Sequence, residues 1–182
     1  MLIYIVRDLF AVFRYLPYGL IVGIFAAILL GAWNDRRKGG GKKAFSTAAV
    51  TCFVMYAAII LCITFLSRES GSGQKLDLKL FSTWGINDRN NAYVVENILL
   101  FVPFGFIAPW AFKSFMKPHI CIFAGFMTSL AIELMQLITS RGFFQIDDII
   151  TNTLGMIIGY IFFMFVYGCV FVIKSLRRRF FS

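Results

Sequence analysis

Five long apolar runs, residues 16 to 33, 46 to 66, 92 to 112, 119 to 138 and 149 to 173, constrain the fold of this chain more than any other feature. Each comes close to the ~20 residues that a helix needs to cross ~30 Å of hydrocarbon. With 59% hydrophobic and only 15% charged residues in a chain of 182, there is more apolar surface than a soluble domain of this size can bury. The expected fold is all-α: a polytopic membrane helix bundle of about five transmembrane helices, forming one membrane domain over residues 1–182.

The first run differs from a secretory signal, because Arg36, Arg37, Lys38, Lys42 and Lys43 follow it rather than precede it. It is therefore expected to be a retained helix. The net charge of +9 raises the question of nucleic acid, but the cations lie in the loops. Those five, Lys113 and Lys117, and the tail Lys174, Arg177, Arg178 and Arg179 fall on one side of an alternating chain. The bias predicts that side to be cytoplasmic, with the N-terminus outside and the C-terminus inside, and basic clusters that face headgroups rather than nucleic acid. Cys52, Cys62, Cys121 and Cys169 fall inside apolar runs, where thiols behave as small hydrophobes. No disulfide framework or zinc spacing is visible.

Residues 2 to 15 form an amphipathic arm in which Arg7, Ala11 and Arg14 share one helical face and Leu2, Ile5, Leu9 and Phe13 are apolar. Such an arm is expected to lie in the outer membrane interface. Pro17 follows and fits the first turn of the next helix. Gly39, Gly40 and Gly41 make a turn, and residues 67 to 91 form the one long extracytoplasmic loop, opening Ser-Gly-Ser-Gly before an alternating Leu76 to Leu80. Trp33, Trp84 and Trp110 lie near helix ends and read as interfacial anchors.

The polar residues gather in the second half of the chain. Glu96 and Asn97 are expected near the start of the third span, which carries Pro103 and Pro109; Pro103 clashes with the carbonyl of Leu99, so a kink is expected. In the fourth span Ser129, Glu133 and Gln136 share a stripe. An ionised carboxylate about 9 Å below a helix end is costly, so Glu133 requires polar company. Arg141 follows that span. Asp147 and Asp148 begin the fifth, where the helix dipole favours negative charge. Asp148, Asn152, Gly155 and Gly159 lie on one face, a polar end above a small-residue groove expected to pack against the third or fourth span.

Several of these blocks recur together in one family. Asn97-Ile-Leu-Leu-Phe-Val-Pro-Phe-Gly105, Glu133-Leu-Met-Gln136, Arg141, and Asp148-Ile-Ile-Thr-Asn-Thr-Leu-Gly155 resemble the signature blocks of the VanZ-like membrane proteins, in order and on successive helices. The resemblance covers about residues 91–160, which it marks as the VanZ-like core. The family often has an Asn-Leu-x-Pro-Phe stretch before this core, where the present chain has Leu78-Lys-Leu-Phe81 without proline. The resemblance implies a bacterial cell-membrane protein and a link to lowered susceptibility to teicoplanin, a glycopeptide bearing an acyl tail.

Three functional classes compete with interhelical hydrogen bonding alone as the role of Glu96, Asn97, Glu133, Gln136, Arg141, Asp147, Asp148 and Asn152. The leading one is a binding site open to the outer leaflet that engages membrane lipids, a lipid-linked cell-wall component or a lipoglycopeptide, with Arg141 pairing with phosphate or carboxylate and the acids taking a cationic group. A second is a metal-assisted enzyme on a lipid-linked substrate, in which Asp147, Asp148 and Glu133 hold a hard cation. The third is a small ion-coupled transporter carrying protons on Glu133. The leading reading has no catalytic residue, calls for no cofactor and involves no nucleic acid; the lone His119 begins the fourth span, a helix length from the cluster.

Overall fold

A computed structural model describes residues 1–36, 42–66 and 76–180. The expected glycine turn at 39–41 and the Ser-Gly opening of the long loop lie outside these. The order of elements is α1 (Leu2–Val12), a 3-10 turn at Phe13–Tyr15, α2 (Leu16–Arg36), α3 (Lys42–Leu61) ending in a π turn at Cys62–Leu66, β1 (Leu76–Asp77), α4 (Asp88–Ala111), a 3-10 turn at Lys113–Met116, α5 (Pro118–Ile138), β2 (Phe144–Gln145) and α6 (Ile146–Phe180). Among the described residues, five helical stretches are long and apolar enough to cross a membrane: Leu2–Trp33, Thr47–Phe65, Asp88–Ala111, Pro118–Ile138 and Ile146–Arg178. The chain is an all-α bundle.

Two boundaries differ from the hydropathy reading. Residues 88–91, expected in the long loop, are the first turn of α4. Asn87 caps them, its side-chain oxygen accepting from the Asn90 amide at 2.8 Å. Asp88-Arg-Asn-Asn is polar, so an apolar window starts too late, and Glu96 lies about two turns inside the helix rather than near its opening. The arm is also not set apart from the first span. Val12, Phe13 and Leu16 keep right-handed helical dihedrals, so α1 runs through the 3-10 turn into α2, with Pro17 at the second position of α2. α1 packs along the first half of α4, with Ile5 buried while Leu2, Ile3, Phe10 and Phe13 stay exposed.

α4 is the central element, touching α1, α3, α5 and α6. Its contact with α6 is backbone on backbone. A Cβ on Gly155 would collide with the carbonyl of Ile98, one on Gly159 with that of Val102, and one on Gly105 with that of Met156. This is the expected small-residue groove of the fifth span, seated on α4, the third span. Phe101, Phe104, Met156 and Phe163 fill the core beside it, with Cys121 of α5. At Pro103, which removes one rung of the α4 ladder, the Tyr56 hydroxyl of α3 donates to the neighbouring Leu100 carbonyl at 2.8 Å, so helix contact takes up a group near the break. Trp110 stacks edge-on against Phe163 at 5.1 Å, more than an interfacial anchor requires. All four cysteines are free thiols. The outward faces of α2 and α6 carry exposed Ile21, Phe25, Phe162 and Phe165, the surface expected to meet lipid.

Gly155→Ala forces backbone apart, so it should destabilise the bundle by about 1–3 kcal/mol. Gly31→Ala, which meets nothing within 4 Å, should change little. Thermal unfolding of the two variants in detergent, beside the parent chain, checks the contrast.

Candidate functional site

The predicted polar residues gather at the end of the bundle that holds the N-terminus, the 76–87 segment and the α5–α6 connection. They divide into two sets with different work.

The first set ties chain segments together. Glu133, 2% exposed, accepts the Gln145 amide at 3.0 Å through Oε2. Gln136 donates from Nε2 to the Thr64 carbonyl at 3.2 Å, and Arg141 from a guanidinium nitrogen to the Phe65 carbonyl at 2.9 Å. Both acceptors lie in the π turn that ends α3, where a widened helix leaves carbonyls without ladder partners. Among the described residues Arg141 forms no ion pair. Asp147, 6% exposed, takes the Phe81 amide at 2.7 Å on one oxygen and the Thr83 amide at 2.9 Å on the other. It thereby holds a loop whose Phe81 has a φ of 59°, a left-handed conformation that phenylalanine rarely adopts. Asn152 donates from Nδ2 to Ser129 Oγ at 2.9 Å, joining α6 to α5. β1 and β2 pair in parallel, Leu76 with Phe144 and Asp77 with Gln145, closing the same cap.

The second set borders a cavity. Glu96, Asn97 and Asp148 line a cavity of about 790 Å³ between α1, α3 and α4. Asp8, Arg14 and Arg89 complete its charged lining, while Ile59, Ile63, Leu99, Leu100 and Pro103 form apolar wall. Asp8 is gripped by Arg7 at 2.8 Å and by Arg89 at 3.6 Å. Arg89 also donates to the Tyr93 hydroxyl at 2.9 Å and lies over the Tyr4 and Tyr93 rings at 5.4 and 4.8 Å. The Glu96 carboxyl lies against that of Asp8, and one of its oxygens is fully buried with no hydrogen-bond partner among the described residues.

The cavity thus uses three of the eight predicted residues, and the α1 side of it was not anticipated. Its signal was the one acidic side chain among the first 34 residues, Asp8, on an otherwise apolar and basic arm. The α6 carboxylates and Glu133 do not converge as a metal ligand set: among the described residues no three His, Cys, Asp or Glu side chains are placed to hold an ion. Both Asp147 oxygens and one Glu133 oxygen already accept backbone amides.

A helical bundle with five spanning segments and a charged pocket walled by apolar helices is a polytopic membrane protein. This chain belongs to the VanZ/LLP1 family, whose model matches residues 53–167. Neither curated proteins nor solved structures yield a match. The matched region runs from α3 into α6 and so contains Glu96, Asn97 and Asp148, whereas Asp8 and Arg14 precede it.

Asp147→Asn should weaken the grip on the loop by about 1.5–3 kcal/mol, the usual worth of a charge-assisted bond. Faster hydrogen exchange at the Phe81 and Thr83 amides, with the rest of the bundle unchanged, is the expected readout. Asp77, outside the spans, is held below its ordinary value by the Ser82 hydroxyl at 2.7 Å and then the Lys79 amide. Its contribution is therefore complete above the ordinary aspartate range and lost only as the pH falls through the depressed value. Exchange of the Lys79 amide should stay flat from neutral pH down to that range, after correction for intrinsic rates, and accelerate in stronger acid.

Proposed function

We propose that this is a bacterial cell-membrane protein whose cavity faces the outer leaflet, engages a polar lipid headgroup or a lipid-linked envelope component, and thereby lowers susceptibility to teicoplanin and related lipoglycopeptides. The observation that carries the reading is the cavity itself, in which Asp8, Arg14, Arg89, Glu96 and Asp148 meet apolar wall from three helices. Charged side chains inside a spanning bundle are costly, and they persist where they line a path or a site. Helices held only by hydrogen bonds need no such opening.

The orientation follows from charge. The cavity lies at the end of the bundle with the N-terminus, while Arg36, Lys113, Lys117 and the α6 tail lie at the other, the end that the positive-inside bias assigns to the cytoplasm. A ligand would then enter from the outer leaflet. Acyl-tailed antibiotics act at that surface, so a protein that binds or redistributes headgroups there has a direct route to the phenotype.

Expression in a sensitive Gram-positive host should raise the inhibitory concentration of teicoplanin and leave that of vancomycin, which lacks the acyl tail, unchanged. Glu96→Gln should erase the rise while membrane abundance stays the same. An intact phenotype in that variant, or equal shifts for both antibiotics, would reject the reading.

A further inference from the structure

Residues 76–86 are built inside out relative to a loop in water. Leu76, Leu78, Leu80, Phe81, Trp84 and Ile86 are each more than half exposed, while Thr83 is buried and Asp77 and Ser82 are partly so. The backbone, meanwhile, finds partners within the protein. The amides of Lys79, Phe81, Thr83 and Gly85 donate in turn to Asp77, to the two oxygens of Asp147 and to Asn91, at 2.7 to 3.1 Å. A loop in water turns polar groups outward and leaves amides to the solvent, whereas irregular backbone against lipid has to be satisfied from inside.

The register of α4 and α6 gives the depth of this segment. Gly155 meets Ile98 and Gly159 meets Val102, so the two helices run parallel, and about two turns back Asp147 is level with Asn90. Phe81 and Thr83, held on Asp147, and Gly85, held on Asn91, therefore lie beside the first turn of α4 rather than beyond it. The 24 residues of α4 make ~36 Å of helix against ~30 Å of hydrocarbon, which puts that turn at the hydrocarbon edge. Exposed Leu2, Ile3 and Val6 continue the apolar surface at the same level, where the Met1 ammonium pairs with Asp88 at 2.9 Å.

We propose that residues 76–86 form a lipid-docking loop, seated in the leaflet at the N-terminal end of the bundle with its apolar side chains among acyl chains and exposed Lys79 reaching the phosphates. A patch of six large apolar side chains on eleven residues marks an interaction surface, and its depth and its continuity with the outer face of α1 assign that surface to lipid. The docking reaches the cavity, because β1 pairs with β2 and Gln145 of β2 lines the cavity wall. The assignment stands on the membrane bundle alone and is independent of the antibiotic reading.

The test is the emission of Trp84 in the full chain reconstituted into phosphatidylcholine vesicles, taken as the difference between the parent and Trp84→Phe, a change at an exposed position that leaves the core untouched. Phosphatidylcholine brominated on the headgroup side of its acyl chains should quench that emission about threefold or more as strongly as iodide supplied on both faces of the membrane. Leu78→Trp in the Trp84→Phe background, a second reporter in the same loop, should behave alike. Iodide quenching equal to or above that by the brominated lipid, at either position, places the loop in water and overturns the proposal. Lipid quenching that appears only as the protein is diluted into excess lipid shows the patch covered by a second copy of the chain and overturns it as well.

Discussion

Backbone contact between α4 and α6 is the constraint on which the remaining geometry depends. In a bilayer, helices gain little by hiding apolar side chains from one another, because lipid tails are equally apolar, so association rests on close packing. Gly105, Gly155 and Gly159 let two helices meet at their carbonyls, and this seam fixes the rotation of both. With that rotation fixed, Glu96 and Asn97 turn toward α1 and α3, and Asp148 comes to the same space from the first turn of α6. A residue larger than glycine at the seam moves the cavity wall as well as the core.

The end of the bundle is then closed by polar ties rather than by apolar packing. Glu133, Gln136, Arg141 and Asp147 all accept from or donate to backbone atoms in connecting segments. They meet the demand that irregular backbone creates at membrane depth, where unpaired amides and carbonyls find little water. Carboxylates are suited to this, since one side chain takes two amides, as Asp147 does with Phe81 and Thr83. Much of the negative charge that stands out in the sequence is thus committed to holding loops, and a smaller part faces the cavity.

Spans and family were legible from sequence because both signals are local. Hydropathy needs only a window of about twenty residues, and the Asn97–Gly105, Glu133–Gln136 and Asp148–Gly155 blocks are short. The α4 start was misplaced because Asp88 to Asn91 is polar while a cap, not hydropathy, sets that boundary. The glycine groove of α6 was readable from its spacing. The division of the acids was not: whether Asp147 or Asp148 faces open space depends on a rotation of one residue, about 100° around α6, set by contacts far away in the chain. Asp8 was passed over for a related reason. Its partners Arg89 and Glu96 are more than eighty residues away, and no helical periodicity connects them.

The cavity draws its wall from residue 8 near the beginning of the chain and from residue 148 at the start of the last helix. During synthesis the earlier helices enter the membrane while the later wall has yet to be made, and Asp8, Arg14 and Glu96 wait in an incomplete enclosure. Only the arrival of α6, seated by its glycines, finishes the chamber. Occupancy of the chamber is then open to the completed bundle alone, and anything bound there shifts the balance toward the fully assembled chain. A ligand held in the chamber would couple its own supply to membrane assembly through a single shared space.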